Sequence, residues 1–438
     1  MKYLARYAEP EARLAERVAT RYFAAVVIPA FAESPALLDG VRAAARAANG
    51  RVLVIVVVNA RASSPPEARA ENARAIAAFA ALGPREPLAP GAFVVADPDF
   101  DVLVVDRTSP GRELPEKQGV GLARKIGADL ALALHAHGRL AVPFVFFGDA
   151  DAVLPADTFE TGASLRSSDG VSALLFPFRH EGPADEPVTR ATELYEASLR
   201  YHVLGLAHAG SPYAYHSIGS TLAVQARAYA LVRGVPKRSA GEDFYLLDKL
   251  AKVAPLLRAR GEPVRIRARF STRVPFGTGP AVARIAATGS VPVAAPAAFD
   301  ALRAIVRGLS AVARAGDAAA LDEGMLGLDA VSSAAVRRAI TVLDVEAACR
   351  SALRESPGDR LERRLHTWFD ALRTLRALHV FRDAGLSDCE LTEALERAPF
   401  TPGARGATPA ETIRRLCALE AALPARCGPA LLEGARRD

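Results

Sequence analysis

The chain has 438 residues, of which half are apolar and 24% are charged. This composition is typical of a globular protein, and the length is sufficient for two or three domains. The formal net charge is +6, and arginine supplies most of the basic side chains. No basic segment is interleaved with aromatic residues, so we expect no nucleic-acid partner.

The four cysteines lie in the last quarter of the chain, and no pair has the spacing of a metal site or a redox motif. We therefore expect thiols in a reducing compartment. The first residues lack the apolar core of a secretion signal, and no apolar run is long enough to span a bilayer. These features predict a cytoplasmic protein with peripheral membrane contact at most.

The first part of the chain alternates strand and helix patterns. We predict strands at "FAAVVIPAF", "RVLVIVVVNA", "FDVLVVDRTSPG" and "PFVFFGDAD". Between them we predict helices at "SPALLDGVRAAARAANG", "PPEARAENARAIAAFAALG" and "KQGVGLARKIGADLALALHAHG". The continuous β-branched run in the second strand is typical of a parallel strand covered on both faces. This alternation implies right-handed crossovers and an open parallel sheet.

The following region mixes both kinds of element. "VSALLFPFRH" and "PVRIRARFSTRVPFGTG" predict strands, "EPVTRATELYEASLRYHVLGLAHAG" and "GEDFYLLDKLAKVAPLLRARG" predict helices, and "HSIGSTLAVQARAYALVRG" predicts a glycine-containing loop followed by strand or helix. From about Val291 the chain is helix-periodic throughout. We therefore predict two domains. Residues 1–285 form an α/β domain with a mostly parallel sheet and helices on both faces, and residues 286–438 form an all-α domain.

Two aspartates, Asp149 and Asp151, follow the predicted strand "FVFF" directly. Ligands of open α/β sheets bind at the carboxyl ends of the strands, and the pair lies at such an end. One interpretation is a turn with solvated carboxylates. The other is a platform for Mg²⁺ or Mn²⁺, which bind one or two carboxylates together with substrate phosphates. The position at the sheet edge favours the metal.

Six segments occur in an order that resembles the GT-A glycosyltransferases, most closely the family-two inverting enzymes: "VVIPAFAES", "VVVNA", "KQGVGLARKIGADLAL", "FFGDADAVLP", "GSTLAV" and "GEDFYLLDKL". The resemblance covers roughly residues 22–285. It implies a GT-A (Rossmann-like) fold with a DXD motif at Asp149–Asp151. It also implies a nucleotide-diphosphate-sugar donor, a divalent cation and direct displacement at the anomeric carbon.

Carried over position by position, the resemblance assigns donor-binding roles to residues that follow the first two strands or precede the third helix: Pro29, Ala30, Glu33, Asn59, Lys117, Gly119, Gly121 and Arg124. Asp149 would face the ribose or the metal, and Asp151 would bind the metal directly. The family usually has Asn at position 32 and Asp at position 59, where this chain has Ala32 and Asn59. Because an amide both donates and accepts hydrogen bonds, the base preference is expected to differ.

The resemblance also assigns Gly219 and Ser220 to the acceptor side, with His216 close by, and Arg273 to the diphosphate. Glu242 and Asp243 fall in the first turn of a predicted helix, where the helix dipole favours ionised carboxylates. Acidic residues at helix starts are commonly structural caps. The resemblance favours Asp243 as the base that takes the acceptor proton, with Glu242 supporting the acceptor.

The sequence therefore predicts a metal-dependent inverting glycosyltransferase with an unknown acceptor. One alternative is a non-catalytic nucleotide-sugar-binding or scaffold protein on the same fold. Ala32 and Asn59 favour it, and the presence of Asp149, Asp151 and Asp243 together argues against it. A retaining glycosyltransferase stays open because the same sheet and metal serve both outcomes. A nucleotidyltransferase ranks last because "PAFAESPALL" lacks a glycine-rich loop. The C-terminal helices are either a packing or oligomerisation domain or a domain that grips the acceptor.

Overall fold

The computed structural model describes residues 2–166, 169–184, 186–271, 277–355, 358 and 360–433. The chain divides into two compact units that alternate along the sequence. The first unit comprises Met1–Glu181, Ser217–Ala268 and Thr272–Gly277, and the second comprises Gly182–His216, Arg269–Ser271 and Thr278–Asp438. The boundary predicted at residue 285 stays a prediction.

The first unit is built on β-sheets. Its strands are β1 Ala24–Ala30, β2 Val52–Asn59, β3 Arg85–Ala89, β4 Ala92–Ala96, β5 Asp101–Arg107, β6 Phe144–Phe147, β7 Ala152–Val153, β8 Ala173–Leu175, β9 Phe178–Glu181, β10 Leu222–Gln225, β11 Leu256–Arg258 and β12 Val264–Arg267. Within the first unit, the strands of the main sheet have the order β11-β8-β10-β6-β1-β2-β5-β4-β3. Its strands run in one direction except β4 and β10, which are antiparallel to their neighbours.

Helices cover this sheet. They are α1 Lys2–Arg6, α2 Asp39–Ala47, α3 Pro66–Ala80, α4 Val120–Ala136, α5 Thr158–Ala163, α7 Ala226–Leu231 and α8 Glu242–Val253. The 3-10 helices Pro10–Arg17 and Pro35–Leu38 also belong to this unit. Every residue of β1 and β2 is buried, as their β-branched runs predict for strands covered on both faces. α4 packs on β1, β2 and β6, and α3 packs on β2 and β5.

The predicted strand "VSALLFPFRH" is two strands. Pro177 separates β8, in the main sheet, from β9, in a small sheet of order β7-β12-β9. Because proline has no N–H to donate to a ladder, the chain changes sheets at this position. In β12, Val264 and Ile266 are buried while Arg265 and Arg267 are exposed, which is the alternation typical of a half-buried strand.

The second unit is mainly helical. It contains α6 Pro187–His208, α9 Thr278–Thr288, α10 Pro296–Ala315, α11 Ala330–Val342, α12 Val345–Glu355, α13 Leu361–Trp368, α14 Ala371–Asp383, α15 Leu391–Arg397 and α16 Pro409–Ala421. The 3-10 helices Ala318–Met325 and Pro429–Glu433, and the two-residue strands β13 Pro292–Val293, β14 Cys389–Glu390 and β15 Arg426–Cys427, also belong to it. The helix predicted at "EPVTRATELYEASLRYHVLGLAHAG" is α6, and it packs on α9, α10 and α16.

The predicted fold class is confirmed: a mostly parallel sheet with helices packed on it, followed by a helical C-terminal region. In the part of the chain that the structure describes, every helix is too short or too polar to cross a membrane.

Candidate functional site

Arg124 is the centre of the candidate site in the first unit. It lies on α4, and its side chain is only 6% exposed. Nε donates to Glu242 Oε1 at 2.8 Å, and Nη2 donates to Asp149 Oδ1 at 2.5 Å. Nη1 donates to the carbonyls of Gly148 and Gly219, each at 3.3 Å. One guanidinium therefore joins α4, the end of β6, the loop before β10 and the first turn of α8.

A buried network holds α4 in this position. Asp129 is fully buried, and its Oδ1 accepts hydrogen bonds from Tyr3 at 2.6 Å and Tyr229 at 2.8 Å. Lys125 Nζ lies 2.6 Å from Asp129 Oδ2 and also donates to the Tyr3 hydroxyl. Lys125 is therefore a structural residue that ties the N-terminal segment to α4, next to Arg124.

Asp149 and Asp151 lie in a tight turn at the carboxyl end of β6. The Ala152 N–H donates to the Asp149 carbonyl at 3.1 Å, and the Arg267 N–H donates to the Asp151 carbonyl at 2.9 Å. The Asp149 side chain is 31% exposed. Desolvation raises the pKa of Asp149 to about 6; Arg124 opposes this shift, and the nearby carboxylates of Asp151 and Glu242 add to it.

Glu242 and Asp243 begin α8, as predicted. Glu242 is buried and paired with Arg124, whereas Asp243 is half-buried and accepts the N–H of Phe244 at 2.8 Å. Desolvation and then the Glu242 carboxylate raise the pKa of Asp243 to about 7. The helix start was expected to favour the ionised form, but burial beside a second carboxylate outweighs it.

Three glycines near the site lie so close to neighbouring atoms that a Cβ would meet them. A Cβ on Gly219 would lie 2.4 Å from Arg124 Nη2, so a side chain there would displace the guanidinium. A Cβ on Gly121 would lie 2.4 Å from the Pro236 carbonyl. The Gly121 N–H donates to the Arg238 carbonyl at 3.1 Å. Gly121 thus packs the start of α4 against a neighbouring loop. A Cβ on Gly119, the residue that precedes α4, would lie 3.1 Å from Ser239 Cα.

The carboxyl ends of β1, β2 and β5 are joined by Asn72, which the sequence analysis did not identify. Asn72 lies on α3 and is fully buried. Its Oδ1 accepts the N–H of Ala32 at 2.8 Å, and its Nδ2 donates to the Asn59 carbonyl at 3.0 Å and to Thr108 Oγ1 at 3.1 Å. Ala32 has a positive φ of 52°, which this bond helps to maintain. An asparagine inside the helix "PEARAENARAIAAFA" was the available sequence signal, because asparagine is unfavourable there.

Asn59 ends β2 and is 7% exposed. Its Nδ2 donates to the carbonyls of Ala30 at 3.0 Å and Val57 at 3.2 Å. Within the described residues no group donates to Asn59 Oδ1. The amide therefore presents an acceptor at the carboxyl end of the sheet, because its donor is used by the backbone.

The other predicted residues differ in their positions. Pro29 and Ala30 end β1 and are buried, Glu33 is half-buried in the next loop, and Lys117 is exposed before α4. Ser220 is buried beside Gly219. His216 belongs to the second unit, where its Nε2 lies 2.7 Å from Glu420 Oε1. Arg273 lies outside the described residues.

The carboxylates suit a hard divalent cation. Asp149 uses Oδ1 for Arg124, and its other oxygen and the Asp151 carboxylate belong to the same turn at the carboxyl end of β6. Among the described residues, no group of three or more His, Cys, Asp or Glu side chains could hold a metal by itself. Mg²⁺ commonly takes one or two carboxylates plus substrate phosphates, so these two residues fit such an ion with a phosphorylated substrate.

No protein-family model matches the sequence, and no curated protein matches it. Residues 1–349 of Staphylococcus aureus TarS align with 83% of this chain and 90% of that one, at 12% identity and a TM-score of 0.35. The same fragment in complex with UDP-GlcNAc aligns over the same shares at 10% identity and a TM-score of 0.37. A mycobacterial protein aligns with 65% of this chain and 83% of its own, at 16% identity and a TM-score of 0.29. With TM-scores below 0.5, this likeness identifies neither the reaction nor the ligand of the present chain.

Proposed function

We propose that the chain is a glycosyltransferase that moves a sugar from a nucleotide-diphosphate-sugar to an acceptor hydroxyl, with inversion and with a divalent cation. The observation that supports the proposal is the convergence on Arg124 of four segments distant in sequence. These segments of α4, β6, the loop before β10 and α8 are four of the six on which the resemblance to GT-A enzymes rests. Their meeting at one point is expected of a shared site.

Asp243 is the proposed base. Its pKa of about 7 lies near neutral pH. At that pH a general base with such a pKa is partly ionised and is still basic enough to accept a proton. The acceptor hydroxyl transfers its proton to the Asp243 carboxylate as its oxygen forms the bond to the anomeric carbon. The bond from that carbon to the diphosphate oxygen breaks on the opposite side, and the nucleoside diphosphate leaves.

Asp151 and the second oxygen of Asp149 are the proposed ligands of the cation, either Mg²⁺ or Mn²⁺. When bound, the cation neutralises charge that develops on the departing diphosphate. Arg124 fixes Asp149 in place and, with Glu242, keeps the site rigid around Asp243. Gly219 and Ser220 remain proposed acceptor-side residues.

Asn59 is proposed to read the nucleobase. Its Nδ2 is occupied by backbone carbonyls, so Oδ1 is the atom left to contact a ligand. An acceptor selects a base edge that carries an N–H donor. Uracil and guanine each present a ring N–H, whereas adenine presents only its exocyclic amine.

A donor panel tests the proposal. Thermal unfolding is measured with UDP, GDP, ADP and TDP, each with and without Mn²⁺, and transfer is then assayed with the sugar form of the nucleotide that stabilises the protein. We expect one nucleotide to raise the unfolding temperature only together with the metal. No stabilisation by any nucleotide would contradict the proposal, and a product that keeps the donor's anomeric configuration would overturn inversion.

A second candidate is a non-catalytic nucleotide-sugar-binding protein. Ala32 and the backbone-bound amide of Asn59 support it, because both depart from the family pattern. The two candidates differ in one outcome of the panel: the binding protein would be stabilised by a nucleotide and release no nucleoside diphosphate with any acceptor. A cytoplasmic location and an acceptor-binding or oligomerising role for the second unit stay predictions.

A further inference from the structure

A pocket lies in the first unit, outside the candidate site. Its volume is about 400 Å³, and it is lined by the 3-10 helix Pro10–Arg17, the turn between β3 and β4, the end of β5 and the following loop. Four arginines line it: Arg13, Arg17, Arg107 and Arg112. None of the residues grouped around Arg124 belongs to this lining.

Most of the N–H groups of these arginines have no acceptor among the described residues. Arg17 donates one N–H to the Leu88 carbonyl, and Arg112 donates one to the Pro90 carbonyl. Each guanidinium carries five N–H donors in a planar fork. In the described part of the chain, Arg17 and Arg112 make no other hydrogen bonds.

Carboxylates balance only part of this charge. Glu11 pairs with Arg107, whose Nε also donates to the Arg112 carbonyl at 2.6 Å. Asp106 also lines the pocket, but its Oδ1 accepts the N–H groups of Thr108 at 2.9 Å and Ser109 at 3.0 Å, so this oxygen serves the turn. The lining therefore has more guanidinium groups than carboxylates, and its charge favours an anion.

The rest of the lining is apolar. Leu14 comes from the 3-10 helix, Pro90 from the β3–β4 turn, Ala92 from the start of β4 and Val105 from β5. An apolar wall beside charged groups suits a small molecule with a ring or carbon skeleton and an anionic group. The volume is near the lower end of the range for small-molecule sites, roughly 300–1,000 Å³.

We infer that this arginine pocket is a binding site for a small phosphorylated molecule, separate from the proposed donor site. The guanidinium fork matches the spacing of phosphate oxygens, and several convergent arginines distinguish a phosphoryl group from a neutral ligand. β5, which contributes Val105, Asp106 and Arg107 to the lining, lies in the sheet between β2, which carries Asn59, and β4. The site needs no divalent cation, because the protein supplies the positive charge.

Pyrophosphate in metal-free buffer is the probe, and calorimetric titration is the measurement. The double variant Arg17→Gln/Arg112→Gln is compared with the wild-type protein and with Arg74→Gln/Arg227→Gln. Arg74 and Arg227 are exposed on α3 and α7 and do not line the pocket, so this control removes the same charge. We expect at least tenfold weaker binding for the pocket variant and less than a threefold change for the control.

Equal affinities of the pocket variant and the wild-type protein, equal losses in both double variants, or no binding by the wild-type protein would each overturn the inference. Thermal unfolding without ligand reports whether the pocket variant is folded. If it is not, Arg13→Glu replaces it, because Arg13 is exposed and forms no hydrogen bond or ion pair within the described residues. Reversing this charge is expected to weaken pyrophosphate binding at least tenfold, and unchanged affinity would be decisive against the site.

Discussion

Arg124 and Glu242 form a buried ion pair, with Nε donating to Oε1 at 2.8 Å and each side chain only 6% exposed. The residues are far apart in sequence, so the pair fixes the start of α8 against α4. Arg124 also pairs with Asp149, and the guanidinium therefore counters two carboxylates. Loss of the arginine would leave Glu242 buried without a counter-charge, which is strongly unfavourable.

We expect Arg124→Met to lower the free energy of unfolding by about 3–5 kcal/mol, the usual effect of removing one partner of a buried pair. Urea denaturation measures the change. Arg74→Met is the matched control, because Arg74 is exposed on α3, and it should change stability by less than about 0.5 kcal/mol. Similar small effects of both substitutions would show that the buried pair does not hold the site together.

The pH dependence of turnover tests Asp243 as the base. Its raised pKa predicts that kcat/KM increases with pH up to about 7 and is then constant, because only the ionised carboxylate accepts a proton. Asp243→Asn should lower kcat by roughly 10²–10⁴-fold and remove this dependence, with nucleotide affinity retained. Asp39→Asn is the control, since Asp39 is 72% exposed. Near wild-type turnover of Asp243→Asn would exclude this residue as the base.

The sheet could be predicted because its central strands carry local signals. β1 and β2 are continuous apolar runs, and each is followed by a loop and a helix start. The aspartates after β6 were expected at the carboxyl edge, and the structure places Asp149 and Asp151 there. The resemblance assigned Arg124 and Asp149 to the donor side and Glu242 to the acceptor side, and Arg124 pairs with both carboxylates.

Other features depend on long-range packing that local patterns do not carry. The hairpin of β3 and β4 was not predicted, because Pro87 and the exposed residues of β3 give it a weak strand pattern. The long helix α6 belongs to the second unit, where it packs on α9, α10 and α16, and its own helical pattern carries no information on these partners. The ionisation of Asp243 was assigned from the helix dipole alone, whereas its burial and the adjacent Glu242 decide it.

Ionisation of the Asp243 carboxyl is needed for its role as a base, but it lowers the stability of the folded protein. The pKa of Asp243 is raised from 3.8 to about 7 in the folded protein, so the folded state holds a proton that the unfolded chain releases. Its contribution to stability is complete below pH 3.8 and is lost as pH rises to about 7. Asp243→Asn keeps the side chain neutral, so the variant should gain stability relative to the wild-type protein over this range.

The slope of that gain is at most about 1.4 kcal/mol per pH unit. Guanidinium denaturation at several pH values between 4 and 8 measures the free energy of unfolding of the two proteins. In the difference between the two values, the contributions of the titratable groups that both proteins share cancel. Asp39→Asn, at a carboxylate that is 72% exposed, is the control for the substitution itself. A difference between Asp243→Asn and the wild-type protein that does not change with pH would mean that folding does not raise the pKa of Asp243.

Asn72 provides a separate test of the donor side. Asn72→Ala removes the acceptor for Ala32 and the donor for Asn59 and Thr108. We expect a loss of about 1–3 kcal/mol in the free energy of unfolding, because buried polar groups lose their partners. Nucleotide binding should also weaken. Asn49→Ala, at an exposed position, is the control. A stable variant with unchanged nucleotide affinity would contradict a role in ordering these loops.

Removal of the proposed metal ligand gives the last prediction. Asp151→Ala should abolish the stimulation of nucleotide binding by Mn²⁺, because Asp149 already shares one oxygen with Arg124 and offers a single further ligand. Affinity without metal should change little. Titrations of nucleoside diphosphate with and without Mn²⁺ measure the metal-free affinity and the effect of the metal on it. Asp39→Ala is the control, because the Asp39 carboxylate is exposed on α2. An unaltered response to Mn²⁺ in Asp151→Ala would place the cation elsewhere, while a loss of metal-free binding as well would indicate that Asp151 shapes the site instead.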